Sequence, residues 1–122
     1  LSAKISFYEK TGDANNYNES LKQYIEKIWN DAEELNNFAW NIYEHNNNNE
    51  VQKIKTAIKC SIRSIELNNN YANNDTYAWL LYKSGDKKNA LIQASKTIDI
   101  AKKNNQDHNE TQKLVDTIKK TN

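Results

Sequence analysis

The sequence predicts an all-α fold built from antiparallel helix–turn–helix repeats, about seven helices in one domain. Three observations carry that expectation. The 122 residues contain no proline and only two glycines, so little in the chain interrupts a helix. Apolar residues recur at spacings of three and four, and no stretch alternates with period two. One segment, "DTYAWLLYKSGDKKNALIQASKTIDIA", has a weaker copy upstream that begins "NNFAWNIYEHN".

Each element has its own signal. A leading helix is expected over 2–11, ending at Gly12. Leu21, Ile25, Ile28 and Trp29 mark a second over 15–29. A third is expected over 31–45, where Asp31 and Glu34 stand at capping-box spacing. Over 49–67, Val51, Ile54, Ala57, Ile58, Ile62 and Ile65 form one face of a fourth. A fifth follows over 73–84 after an Asn-rich turn. Ala90, Leu91, Ala94, Ile98 and Ala101 mark a sixth over 86–103. The last, over 109–120, places Asn109 and Gln112 at cap spacing and Lys119 and Lys120 at the negative end.

Composition narrows the function. Net charge is +1, with Lys and Glu interspersed, which gives no electrostatic footprint for nucleic acid. Mean hydropathy is −1.02, so apolar side chains must be placed economically. No apolar run approaches the ~20 residues of a membrane span, and no secretory leader is visible at Leu1. About one residue in six is asparagine. The clusters at 46–49 and 68–70 fall between periodic runs, where Asn serves as cap and turn residue.

Chemistry-bearing residues are sparse. The lone Cys60 excludes an internal disulfide and is expected as a small packing residue. His45 suits a helix C-terminus and His108 a loop. No HxxxH, CxxC or Gly-rich phosphate loop is present. Asp31, Glu33 and Glu34 complement a helix dipole. The expectation is therefore no catalytic set, no cofactor and no metal. The sequons at Asn18, Asn74 and Asn109 are expected to be incidental in so Asn-rich a chain.

The repeat can be aligned residue by residue. Phe38, Ala39, Trp40, Ile42 and Tyr43 match Tyr77, Ala78, Trp79, Leu81 and Tyr82, 39 positions on. Ala57, Ser64, Ile65, Glu66 and Leu67 match Ala90, Thr97, Ile98, Asp99 and Ile100, 33 positions on. The difference places six extra residues in the Asn-rich turn after His45, so the underlying unit is about 33 residues, a helical-repeat length. A weaker copy opens the chain. Gly12-Asp13 falls on Gly85-Asp86, and Tyr17, Leu21 and Ile25 fall on Ala90, Ala94 and Ile98. The organisation is then a partial repeat over 1–30, repeats over 31–70 and 71–104, and a capping helix over 109–120. The partial start predicts an apolar edge at Ile5, Phe7 and Tyr8, open to an upstream domain or to a second copy as a homodimer contact.

These residues resemble the tetratricopeptide repeat: Ala39 and Ala78 within the first helices, the turn at Gly85-Asp86, and Ala57 and Ala90 opening the second helices. The chain lacks the proline that usually follows the second helix and the early Trp, and has Tyr17 where Ala is usual. The resemblance implies a short right-handed solenoid, in which one strip of each first helix faces a concave groove. Trp40, Tyr43, Trp79 and Tyr82 lie on that strip, with Asn36, Glu44, Asp75 and Lys83 beside them. Two roles stand open for the aromatics: anchors for a protein or peptide partner, or packing between units. Asn36, Trp40, Tyr43, Asp75, Trp79, Tyr82 and Lys83 are the candidate partner-binding residues. More narrowly, "LNNFAWNIYE" and "SIELNNNYANNDTYAWLLYKSGDKKNALIQASKTIDIA" with "ETQKLVDTI" are similar to the helical C-terminal region of thioredoxin-family proteins of the Bacteroidetes. That resemblance implies an exported, periplasmic accessory module whose catalytic thioredoxin-fold domain lies upstream. The sequence expectation is thus a non-catalytic interaction module, with that accessory role as the alternative.

Overall fold

The computed structural model describes residues 14–46 and 50–121. Six helices follow one another: α1 (Ala14–Ile28), α2 (Ala32–His45), α3 (Val51–Leu67), α4 (Tyr71–Lys83), α5 (Lys87–Lys103) and α6 (Asn109–Lys120). No strand occurs among the described residues. Among the described residues the count is six, where about seven were expected over the whole chain. The expected leading helix, the Gly12-Asp13 turn and the apolar edge at Ile5, Phe7 and Tyr8 lie outside the described residues.

The helix starts follow side-chain chemistry. Asp31 Oδ1 accepts from the Glu34 amide at 3.1 Å, and Asp86 Oδ1 from that of Asn89 at 3.2 Å. Asn70 caps α4 by accepting from the Asn73 amide at 2.8 Å, which starts that helix earlier than the periodicity suggested. α6 departs from expectation. Its N-cap is His108, without a side-chain cap bond. Asn109 is its first residue, and the Asn109 amide donates to Asp107 Oδ1 instead.

Two helix ends, those of α4 and α5, share one device. Gly85 adopts φ +94°, and the Asp86 amide reaches back to the Leu81 carbonyl at 3.0 Å. Asn105 takes φ +54° after α5, and the Gln106 amide reaches Ala101 at 2.8 Å. Both are left-handed caps that satisfy orphan carbonyls. Nothing lies within 4 Å of where a Gly85 Cβ would be, so its conformation, not space, demands glycine. The longer turn after α2 is closed differently. Asn46, buried, donates Nδ2 to the Glu50 carbonyl at 3.2 Å and accepts from the Glu50 amide at 3.0 Å. Its amide side chain thus pairs with the start of α3 as a backbone unit would.

Each helix packs against the next, and α2–α4 and α4–α6 also touch, so the even-numbered helices form one layer. α1 meets α3 through side chains, the Lys53 ammonium standing 5.4 Å from the Tyr17 ring centroid, and no packing of comparable extent joins α3 to α5 among the described residues. The short connections make sequential neighbours antiparallel. Two apolar clusters result. Leu21, Ile28, Leu35, Phe38, Ile42, Ile54 and Leu80 build the first. Ala78, Leu81, Ala90, Ala94, Leu114, Val115 and Ile118 build the second. α4 serves both: Leu80 enters the first, Ala78 and Leu81 the second. Ala39, Ala57, Ala78 and Ala90 are fully buried, as crossings at small residues require.

The buried face of α3 corrects the periodic reading. Val51 is 61% and Ile62 41% exposed, and Ile58 and Ile65 are half-buried. Ile54 and Ala57 of that face are buried, as is Cys60, and Ser61 and Ser64 join them in place of Val51 and Ile62. α3 is pressed between α2 and α4, so its seam takes small residues. Ser64 makes this tolerable by donating to the Ser61 carbonyl at 2.6 Å. Arg63 closes the outer side, donating to the Trp29 carbonyl at 3.0 Å and to Asn30 Oδ1 at 2.7 Å.

Candidate partner-binding strip

Helical spacing sets Asn36, Trp40 and Tyr43 in line along α2, and Asp75, Trp79 and Tyr82 in line along α4. Because α2 and α4 are neighbours, the two lines meet. Trp40 and Tyr43 stack with ring centroids 4.7 Å apart and 16° between planes. Tyr43 meets Trp79 edge-on at 5.8 Å, and Trp79 meets Tyr82 at 6.5 Å and 85°. Four rings form one continuous train, each pair worth about 0.5–1.5 kcal/mol beyond area burial.

All four rings are half-buried. Tyr43 packs on the first apolar cluster, Trp79 and Tyr82 on the second. Trp40 reaches the interior through Tyr43. The two roles left open by the sequence therefore coexist: one side of each ring joins the helices, and the rest meets solvent.

Lys83 closes one end. Its Nζ donates to the Tyr43 carbonyl at 2.7 Å and lies 4.6 Å from the Tyr43 ring centroid. It thereby supplies the last turn of α2 with a cation and a donor. Burial, then the charges of Tyr82 and Asp75, push the Tyr43 phenol up from its ordinary range. Glu44 is exposed.

Asp75 lies at the other end, half-buried. Thr111 Oγ1 donates to its Oδ1 at 2.5 Å, and the same hydroxyl lies 2.8 Å from Tyr71 OH. Desolvation pushes the Asp75 carboxyl up most strongly. Bonds from Thr111 and Trp79 pull it down, and Glu110 adds to the rise. Asn36, half-buried on α2, has a buried Oδ1 with no hydrogen-bond partner among the described residues.

Thus the rings of all four aromatic candidates, and Lys83, are brought into contact. Asp75 joins through Trp79, and Asn36 stays on the same line of α2. Tyr71, Glu110 and Thr111, which surround Asp75, were missed. Their signal was faint, because they precede or follow the repeated segment and share no position with the aromatic copy.

Other features are structural. The His45 ring bonds the Asn41 carbonyl at 2.9 Å in the last turn of α2. Cys60 is fully buried, and desolvation pushes its thiol up to about 11. Asn74, whose sequon was noted above, is buried and hydrogen-bonded to Asn69, Asn70 and Gln93. Among the described residues no group of three His, Cys, Asp or Glu could hold a metal ion, and no helix is long and apolar enough to cross a membrane. No protein-family model, no curated protein and no solved structure matches the chain.

Proposed function

We propose that the chain is a non-catalytic protein-interaction module of tetratricopeptide type, its units stacked as a short right-handed solenoid, which holds a peptide or partner segment on the α2–α4 strip. One observation carries this reading. The four-ring train lies on the layer where even-numbered helices touch, half in and half out of the packing. Half-buried Trp and Tyr supply large contact area with little entropy left to lose, which is how binding anchors work. The buried alanines at the crossings and the left-handed Gly85 turn support the repeat type.

The test is selection of a randomised peptide library, displayed on phage, against the whole chain and against Trp40→Ala. Trp40 is chosen because, among the described residues, it leans on Tyr43 and on neither apolar cluster, so its loss should cost little stability. Enriched peptides should lose about thirty-fold in affinity, the hot-spot scale, with little change in melting. Absence of enrichment, or peptides indifferent to Trp40→Ala, would refute the reading.

A further inference from the structure

Among the described residues of the strip, what stands unsatisfied is of one chemical kind. Asp75 is half-buried, yet its hydrogen-bond donor is the neutral Thr111 hydroxyl, with Trp79 one turn on, and among the described residues no ammonium or guanidinium pairs with it. A carboxylate withdrawn from water without a counter-ion is unfavourable, and a cation from outside would relieve it. The Asn36 Oδ1, one turn before Trp40, is an acceptor without a donor.

The surroundings favour the same charge. The face of Trp40 turned away from Tyr43 carries no ring or cation among the described residues. Ring faces attract cations, and the strip already holds one, the Lys83 ammonium over Tyr43. Beyond Asp75, a groove along α6 is lined by Tyr71, Asp107, Glu110, Lys113 and Asp116. Its single cation, Lys113, is tied to Glu110 at 3.1 Å. The potential at this end of the strip is therefore negative, although the chain as a whole is not.

We propose that the occupant of the strip is a peptide segment presenting a lysine or arginine side chain. Its alkyl stem lies along the Trp40 and Trp79 rings, and its charged head pairs with Asp75. This rests on the interaction reading above and names the class of ligand.

The same displayed library separates the two claims. Peptides enriched in a Trp40-dependent way should share a Lys or Arg at one position. Resynthesised with citrulline there, they should bind about ten-fold more weakly, and Asp75→Asn should cost the parent peptide a similar factor. Because citrulline alters the ligand and leaves the protein untouched, the result stands even if Asp75→Asn perturbs the α4–α6 contact. Binding should also weaken as salt rises. Trp40-dependent peptides without a basic position, or ones that bind equally well with citrulline, would overturn the ligand class and leave the interaction reading intact. No Trp40-dependent enrichment at all would overturn both.

Discussion

The two repeat units solve the same packing problem with opposite chemistry. Leu35 in α2 and Asn74 in α4 occupy equivalent positions, 39 residues apart, and Cys60 in α3 and Gln93 in α5 are likewise equivalent, 33 apart. In the first unit the pair is apolar and belongs to one core. In the second, Gln93 Nε2 donates to Asn74 Oδ1 at 2.7 Å, and Asn74 Nδ2 donates to Asn69 Oδ1 and the Asn70 carbonyl, both at 2.7 Å. Asn73 extends the network to the carbonyls of Ser64 and Asn68. A repeat position therefore fixes burial but not polarity. A buried amide is acceptable where every arm is paired, and it also orders the Asn-rich turn it grips.

Position in the stack matters as much as position in the unit. Leu80 and Asn41 are equivalent, yet Leu80 is fully buried and Asn41 exposed. Among the described residues α4 is packed against α2, α3, α5 and α6, and α2 against α1, α3 and α4. Truncating the two should give the widest contrast. Leu80→Ala should lose about 2–5 kcal/mol of stability in urea titrations, and Asn41→Ala should stay within about 0.5 kcal/mol. Equal effects would remove the distinction between inner and outer helices.

The polar pair comes next. Asn74→Leu alone strands the Gln93 amide and should cost about 2 kcal/mol. Adding Gln93→Cys, which transplants the first unit's apolar pair, should recover part of that loss, with a coupling above about 1 kcal/mol in a double-mutant cycle. Strict additivity would mean the two amides do not act as a unit.

How much of this was legible follows from the same residues. Asp31, Asp86 and the buried alanines speak through local rules of capping and close approach, so α2, α5 and the crossings could be placed from sequence. The ring train was legible because a repeat offset aligns Trp40 with Trp79 and Tyr43 with Tyr82. Asn73, Asn74 and Gln93 were not, since nothing in an Asn-rich string tells a turn residue from a buried one. The α3 seam was legible at Ile54, Ala57 and Cys60 and misread at Val51 and Ile62 for a related reason. Periodicity ranks residues by hydrophobicity, while a helix pressed from two sides selects by size, preferring Ser61 and Ser64 over Ile62.

The two left-handed caps offer a finer comparison. Gly85→Ala should destabilise by about 1 kcal/mol, because alanine pays for φ +94° with strain. Asn105→Gly, at φ +54°, should be neutral to within about 0.5 kcal/mol. Thermal melts would resolve the difference.

The smallest effect contrasts two aspartates under pH. Desolvation raises the Asp75 carboxyl, so its contribution to stability is present below the unfolded value and lost as pH rises through the folded one. Asp86 is lowered, first by the Asn89 side chain and amide, so its contribution is present above the unfolded value and lost as pH falls. Urea midpoints taken from about pH 7 down to about pH 4 should show wild type gaining on Asp75→Asn and losing ground to Asp86→Asn. Parallel curves would count against the environments assigned to both.

Cys60 turns the buried seam of α3 into a clock. It is the chain's one cysteine, it has no exposed surface, and its thiol is held near 11, so almost no thiolate exists at neutral pH. A thiol-reactive dye must wait until α3 parts from its neighbours. The labelling rate then reads the parting of α3 from α2 and α4 without any engineered probe, and comparing it with global unfolding tells whether the first unit opens alone or together with the second.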